Sequence, residues 1–204
     1  MIEKQDPVQK QLIDARRHQI LDAATAIFAA KGFHGATIRQ IAQQAGIADG
    51  TIYIYFKTKT DLLLGILARI NESERRAEDL SEGISGNFDD FFVAYLRHRM
   101  QMLDANFQAL RAILPDILSN PELRDHYYRQ VIEPSFALVE PMFRRLIEQG
   151  IIKPLDPVLT ARALSSMALG LLVLRMLGDN EAEAQWDRLP DLMGELLLHG
   201  LKKD

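Results

Sequence analysis

Residues 37–59, TIRQIAQQAGIADGTIYIYFKTK, constrain the fold of this chain more than any other stretch. Thr37 is followed three residues later by Gln40, a capping-box pattern that predicts the start of a helix. Apolar residues then recur at helical spacing as far as Ala45. Gly46 predicts the end of this helix, because glycine readily adopts the left-handed conformation that closes helices.

A second short helix is expected directly after this turn. Asp49 is placed to cap it, and Ile52 and Phe56 lie four residues apart, so they share one buried side. The outward side then carries Thr51, Tyr53, Ile54 and Tyr55, with Lys57 and Lys59 just beyond. Two short helices around a tight glycine turn form the helix-turn-helix unit, whose second helix enters the DNA major groove. An ordinary corner between two helices has the same spacing, but its outer face would tend to carry glutamate and lysine.

The sequence of this region resembles that of the TetR family of bacterial transcriptional regulators. The matching strings run from residue 17 to residue 64: R-x-x-I-L-x-A-A, F-A-x-K-G-F, T-I-R-x-I-A, A-G-I, G-T-I-Y-x-Y-F-K-x-K and D-L-L. They cover about a quarter of the chain in an ordered series. The resemblance implies a DNA-binding regulator that represses in most members of the family.

The resemblance also implies roles for individual residues on this surface. Residues like Thr37, Thr51, Tyr55 and Lys59 contact phosphates in the family, and residues like Arg39, Asp49, Tyr53 and Ile54 face base edges. Two departures affect this transfer. Ala48 stands where serine or threonine is frequent, which removes a capping hydroxyl, and Asp49 replaces a frequent lysine. Asp49 could accept from a cytosine amino group or repel phosphate, and Ile54 could meet a thymine methyl.

The charge distribution favours a DNA-binding head on an acidic body. The 204-residue chain has a net charge of −4, but residues 1–60 hold eight basic and five acidic residues, a net of +3, which leaves −7 for the rest. A mildly basic N-terminal domain on an acidic remainder suits a DNA-binding protein that makes few phosphate contacts per subunit and depends on dimerisation.

Helical periodicity continues to the end of the chain, and no alternating strand pattern interrupts it. We therefore predict an all-α fold of about nine helices, with a three-helix DNA-binding domain over residues 1–57 and a larger ligand-binding and dimerisation domain over residues 58–204. Residues 81–87 are expected to form a loop. A helix predicted from Pro121 towards residue 149 should kink or break near Pro134 and Pro141.

The family resemblance implies a small-molecule pocket in the larger domain. Its aromatic residues and methionines could line a cavity for an apolar or amphipathic effector, although most of them could equally form an ordinary core. The candidate ligand-binding residues are Phe91, Tyr95, His98, Arg99, Phe107, Arg111, Tyr128, Phe136 and Met167. The motif AGIADGTIY-x-YF is similar to the corresponding motif of regulators that respond to acyl-CoA esters.

The last two helices, about 157–177 and 186–198, carry wide apolar faces. They could be buried within the subunit or against a partner. A helix-turn-helix reader binds two half-sites and so needs a two-fold mate. The resemblance implies a homodimer through these helices, which would form a four-helix bundle.

Other functional classes are less consistent with the sequence. The chain has no cysteine, and it lacks the paired Glu-x-x-His of di-iron bundles and any glycine-rich phosphate loop, so we expect neither an enzyme nor a metal or other cofactor. Glu122 with His126, and Glu195 with His199, are read as exposed pairs. A DNA-binding architectural protein without an inducer stays open. The absence of a signal-like or uninterrupted apolar segment predicts a cytoplasmic protein.

Overall fold

The computed structural model describes residues 7–71 and 87–201, which are helical almost throughout and include no strand. The α-helices are α1 (Pro7–Gly35), α2 (Ile38–Gln44), α3 (Asp49–Tyr55), α4 (Lys59–Asn71), α5 (Phe88–Ala105), α6 (Phe107–Ser119), α7 (Pro121–Tyr127), α8 (Glu133–Glu148), α9 (Pro157–Met176), α10 (Asn180–Ala184) and α11 (Leu189–Leu201). A π-helical turn (Tyr128–Ile132) precedes α8, and a 3₁₀ turn (Trp186–Arg188) precedes α11. The predicted all-α fold is confirmed. The predicted loop at 81–87 lies outside the described residues except for Asn87.

Several helix starts follow from side-chain caps that the sequence predicts. Thr37 and Gln40 form the reciprocal capping box of α2. Asn87, Asn120 and Asp156 accept from backbone amides at the starts of α5, α7 and α9. These bonds satisfy amides that have no partner inside the helix.

The start of α3 differs from the prediction. Its cap residue is Ala48, with extended backbone and no side-chain hydrogen bond, and Asp49 is already the first helical residue. The expectation that Asp49 caps this helix is therefore wrong. As an acid in the first turn, Asp49 still lies where the helix dipole favours negative charge.

The two prolines predicted to disturb the helix after residue 121 behave differently. Pro134 has no backbone N–H to donate to a carbonyl of the preceding turn. The backbone before it widens into the π-helical turn. The Val131 carbonyl accepts from Ser135 Oγ at 2.6 Å and from Asn71 Nδ2 at 3.3 Å. By contrast, α8 continues through Pro141 to Glu148 without a break.

The chain forms two compact units. One contains residues 1–69 and 108–127, so α4 belongs to it as far as Arg69. Among the described residues of this unit, the core consists of fully buried side chains from several helices, including Ile20, Phe28, Ile41, Ile52, Leu62, Ile66 and Ile113. A Cβ on Gly65 would come within 2.9 Å of a Leu21 methyl group, so α4 approaches α1 closely at this glycine.

The other unit contains residues 70–107 and 128–204. Its helix α11 packs on α5, where a Cβ on Gly194 would lie 2.7 Å from a Val93 methyl group. Trp186 is buried and donates from Nε1 to the Met100 carbonyl at 3.2 Å. The predicted division into residues 1–57 and 58–204 stays a prediction.

The guanidinium of Arg175 organises one end of this second unit. It lies 4.2 Å from the ring centroid of Phe107 and 4.8 Å from that of Trp186, and it pairs with Asp104 and Glu183. The Glu183 hydrogen bond is the main reason that the pKa of Arg175 is raised and that of Glu183 is lowered. One cation thereby holds four separate segments together.

Candidate nucleic-acid interface

Helix α3 presents two chemically distinct sides. Ile52 and Phe56 are buried, at 0% and 3% exposure. Tyr53 and Ile54 point outward, with 49% and 74% of their surface exposed. Large apolar side chains at such exposure on a seven-residue helix contribute little to folding and are available to a partner.

Helix α2 contributes a charged group to the same surface. Arg39 Nε lies 3.9 Å from Asp49 Oδ2, and the two side chains are 87% and 58% exposed. An exposed ion pair at this distance contributes little to stability in water. The pair nevertheless joins the start of α3 to the first turn of α2, so a hydrogen-bond donor and an acceptor lie side by side on the outer surface.

The other predicted DNA-contacting residues lie on α3 and on either side of it. Thr37 is exposed, Thr51 and Tyr55 are half-buried, and Lys57 is exposed beyond the end of the helix. Thr58 and Asp61 bond reciprocally and cap the start of α4.

Lys59, the first residue of α4, has its ammonium group occupied within the protein. Its Nζ lies 2.6 Å from the Phe33 carbonyl, 3.0 Å from that of Ala36 and 3.5 Å from that of His34. It also sits 4.6 Å from the Phe33 ring centroid. Three carbonyls that follow the left-handed break in α1 at Gly32 therefore share this one cation.

Two further side chains of α1 bond to the ends of α2 and α3. Gln19 Nε2 donates to the Ala45 carbonyl at 2.7 Å, and Arg17 Nη1 donates to the Tyr55 carbonyl at 3.1 Å. Sequence reasoning assigned neither bond. Arg17 opens the R-x-x-I-L motif, so the sequence did mark it as a residue of interest. No motif or spacing marked Gln19.

The candidate ligand-binding residues belong largely to the second unit, where the structure brings some of them together. Phe91 and Tyr95 are neighbours on α5, with ring centroids 6.2 Å apart. Phe136 lies beneath Arg162 at 4.5 Å, and Tyr128 bonds to the same guanidinium. The pKa of Arg162 is raised, chiefly by its hydrogen bond to Glu140.

Two of the other candidates, Arg99 and Phe107, contact different groups. Arg99 Nη1 donates to the Ile70 and Asn71 carbonyls at 3.1 and 3.3 Å, at the end of α4. Phe107 lies under Arg175, His98 and Met167 are half-buried, and Arg111 is exposed in the first unit. Among the residues that the structure describes, no group of three potential metal ligands occurs.

The exposed side of α9 is the other apolar surface of note. Leu159, Leu169, Val173, Leu174 and Leu177 are 40–79% exposed, and Leu192 and Leu196 of α11 are 51% and 60% exposed. By length and composition alone, α9 is also the one helix in the described residues that could cross a membrane, with only 11% of its most apolar window buried.

The comparisons with known proteins agree with this geometry. Residues 20–66 match the model of bacterial regulatory proteins of the tetR family, and residues 92–192 match the C-terminal domain of AefR-like transcriptional repressors. The fatty acid metabolism regulator protein of Bacillus subtilis is 31% identical over 137 residues, which covers 66% of this chain and 70% of that protein. The chain belongs to the TetR family. The prediction of a ligand-responsive transcriptional regulator with a helix-turn-helix reader is confirmed.

Solved TetR-family structures have the same fold. The transcriptional regulator FadR from Bacillus subtilis in complex with stearoyl-CoA superposes with a TM-score of 0.66 at 26% identity, covering 90% of this chain and 98% of that one. The fatty acid degradation regulator FadR from Bacillus halodurans superposes with a TM-score of 0.73 over 91% of this chain and 99% of that one, at 22% identity that supports the fold alone. These relatives are transcriptional regulators, so the length and hydropathy of α9 do not indicate a membrane span.

Proposed function

We propose that this TetR-family protein represses transcription as a cytoplasmic homodimer, and that an amphipathic acyl thioester releases it from operator DNA. The observation that carries the DNA-binding part is the outward side of α3. Tyr53 and Ile54 are exposed there while Ile52 and Phe56, on the opposite side, are buried. A helix that is anchored on one side and apolar and aromatic on the other suits the major groove, where thymine methyl groups lie.

We assign base reading to the centre of this surface and phosphate binding to its margins. Arg39, Asp49, Tyr53 and Ile54 face the bases, and Thr37, Thr51, Tyr55, Lys57 and Lys59 meet the backbone. Because the Lys59 ammonium already bonds to three carbonyls, we assign its phosphate contact to the backbone amide at the start of α4, where helix amides are unpaired.

The apolar sides of α9 and α11 support dimerisation through residues 157–177 and 186–198. A second copy of the chain is the occupant we propose, because two-fold DNA sites require two reading helices. The exposed leucines on both helices would then be buried in a four-helix bundle. Small residues on the same side, Ala163, Ser166 and Gly170, would let the two copies of α9 approach closely.

The proposed effector is a long-chain acyl-CoA ester. One relative is named as a regulator of fatty acid metabolism, and another was solved with stearoyl-CoA. In this chain the aromatic candidates of the second unit suit an acyl chain, and Arg99 suits an anionic headgroup. Arg99 holds the last carbonyls of α4, so a ligand that withdrew it would loosen the end of that helix. The effector then favours a state with lower operator affinity by its difference in affinity for the two states.

Fluorescence anisotropy on duplexes selected by the protein from a random library tests this function. We expect operator binding that weakens steeply as KCl is raised, and release by stearoyl-CoA but not by equimolar CoA or stearate. Failure of the selection to yield any preferred duplex would overturn the DNA-binding part. Binding that stearoyl-CoA leaves unchanged would overturn the effector.

A further inference from the structure

We propose that Arg17 is a positioning residue for DNA reading, because its guanidinium fixes the C-terminal end of α3 and with it the direction of the side chains at positions 53 and 54. The proposal rests on the function proposed for α3. It concerns a residue of α1 that lies outside the predicted DNA-contact set.

The contacts of Arg17 converge on the last residue of α3 and the residue after it. Nη1 donates to the Tyr55 carbonyl at 3.1 Å, and Cζ lies 4.5 Å from the ring centroid of Phe56. The side chain is half-buried and Phe56 is 3% exposed. A planar cation held against an aromatic face, with one N–H committed to a carbonyl, has a fixed orientation.

Helix α3 depends on such a contact because it is short and weakly capped. It has seven residues, and its cap residue Ala48 offers no side-chain hydrogen bond. Its last backbone bond runs from the Phe56 amide to the Ile52 carbonyl at 2.9 Å, which leaves the Tyr55 carbonyl without an amide partner within the helix. Helices of this length are unstable alone, and a cation at the C-terminal end complements the helix dipole.

Arg16 provides a matched control on the same turn of α1. It carries the same charge and is exposed, and its Nη1 donates to Gln19 Oε1 at 2.8 Å instead of to the reading helix. Replacing either arginine with methionine removes one positive charge from nearly the same place. A difference between the two variants therefore reports the contact with Tyr55 and Phe56 and not the charge of the head.

The rival explanation is that Arg17 binds a DNA phosphate directly. Salt dependence separates the two roles. Losing a phosphate contact reduces the magnitude of the negative slope of log K against log [KCl] by about one. It also weakens binding to operator and to random DNA alike. Losing a positioning contact leaves the slope unchanged and weakens operator binding selectively.

The test compares wild type, Arg17→Met, Arg17→Lys and Arg16→Met by fluorescence anisotropy between low and moderate KCl. Each protein is titrated with the library-selected duplex and with a scrambled duplex of equal length. For Arg17→Met we expect about tenfold weaker operator binding, since both copies of α3 in the dimer lose a stabilised end. Its slope and its affinity for scrambled DNA should equal those of wild type. Arg16→Met should retain operator affinity, and Arg17→Lys should fall between Arg17→Met and wild type.

Three results would overturn the proposal. One is an unchanged affinity in Arg17→Met, and another is a lower salt slope with equal loss on both duplexes. The third is a loss in Arg16→Met as large as that in Arg17→Met. If Arg17→Met does not give folded protein by circular dichroism, Arg17→Lys decides alone: it keeps a cation near Tyr55 but not the stacked plane, and wild-type operator affinity in it would refute the proposal. If wild type itself selects no duplex, the proposed function has failed and not the role of Arg17.

Discussion

The ammonium nitrogen of Lys59 lies 2.6 Å from the carbonyl oxygen of Phe33, so the first residue of α4 closes the end of α1. Two more carbonyls, from His34 and Ala36, share the same cation. This bond links residues 26 positions apart and fixes the start of α4 against α1, whose side chains also bond to the ends of α2 and α3.

Replacing Lys59 with methionine should destabilise the DNA-free protein. The three carbonyls lose a charged hydrogen-bond donor, which costs about 1–2 kcal/mol. Urea unfolding followed by circular dichroism measures this loss. Lys57→Met is the control, because Lys57 is exposed; it should leave the unfolding free energy unchanged while lowering the salt slope of DNA binding. Equal stability of the two variants would show that the Lys59 contacts are not stabilising.

Ile54 and Ile52 should give opposite results when each is replaced with alanine. Ile54 is 74% exposed, so Ile54→Ala should keep wild-type stability and lose operator affinity, most strongly where a thymine faces it. Ile52 is fully buried, so Ile52→Ala should cost about 3 kcal/mol of unfolding free energy. Thermal unfolding and anisotropy titration of both variants provide the comparison. An Ile54→Ala variant with intact operator binding would remove this residue from the reading surface.

The sequence predicts the local features of this fold well because they depend on neighbouring residues. The capping boxes at Thr37 and Thr58 follow from a spacing of three positions, and the left-handed turn at Gly46 follows from the residue type. The division of α3 into buried and exposed sides also follows from spacing, since Ile52 and Phe56 repeat at four.

Interactions between distant positions were not predictable in the same way. No periodicity relates Arg17 to Tyr55 or Lys59 to Phe33, because those pairs meet only once the helices pack. Sequence spacing also did not distinguish Ala48 from Asp49 as the cap of α3, because the choice depends on the backbone angles of one residue. The short helix α10 was missed for a related reason: five residues are too few to establish a helical period.

The Arg175–Glu183 pair should make stability sensitive to acid. Because Arg175 lowers the pKa of Glu183, the folded protein binds fewer protons at this group than the unfolded chain. The stabilisation is therefore present above the ordinary glutamate pKa and is lost as pH falls through the lowered value. We expect Glu183→Gln to melt below wild type at pH 7, and the difference to shrink as the pH falls below the ordinary glutamate pKa. Glu181→Gln, on the same helix, is the control, because it removes a carboxylate and leaves the Arg175–Glu183 pair in place. A difference between Glu183→Gln and wild type that stays constant with pH would contradict the assignment.

Replacing Arg99 with glutamine should weaken the response to the effector. Glutamine can still donate one hydrogen bond to the carbonyls at the end of α4, but it offers no charge to an anionic headgroup. Operator affinity without effector should stay within about threefold of wild type, while the stearoyl-CoA concentration for half-release should rise about tenfold. Arg97→Gln is the control on the same helix, because its guanidinium pairs with Asp191 instead. An equal shift in both variants would indicate a general charge effect and not a headgroup contact.

Charged substitutions on the exposed side of α9 should separate the dimer. Leu169 and Leu196 are 51% and 60% exposed within one subunit, so glutamate at either position costs the isolated subunit little. In the proposed four-helix bundle the same carboxylate would be buried without a partner, at a cost of several kcal/mol per ion. Leu169→Glu and Leu196→Glu should therefore sediment as monomers. They should keep wild-type helicity and lose operator binding. Leu118→Glu, 66% exposed on α6, places the same charge outside the proposed interface and should stay dimeric. Sedimentation velocity measures the masses, and dimers of unchanged affinity in both α9 and α11 variants would mean that the subunits pair through another surface.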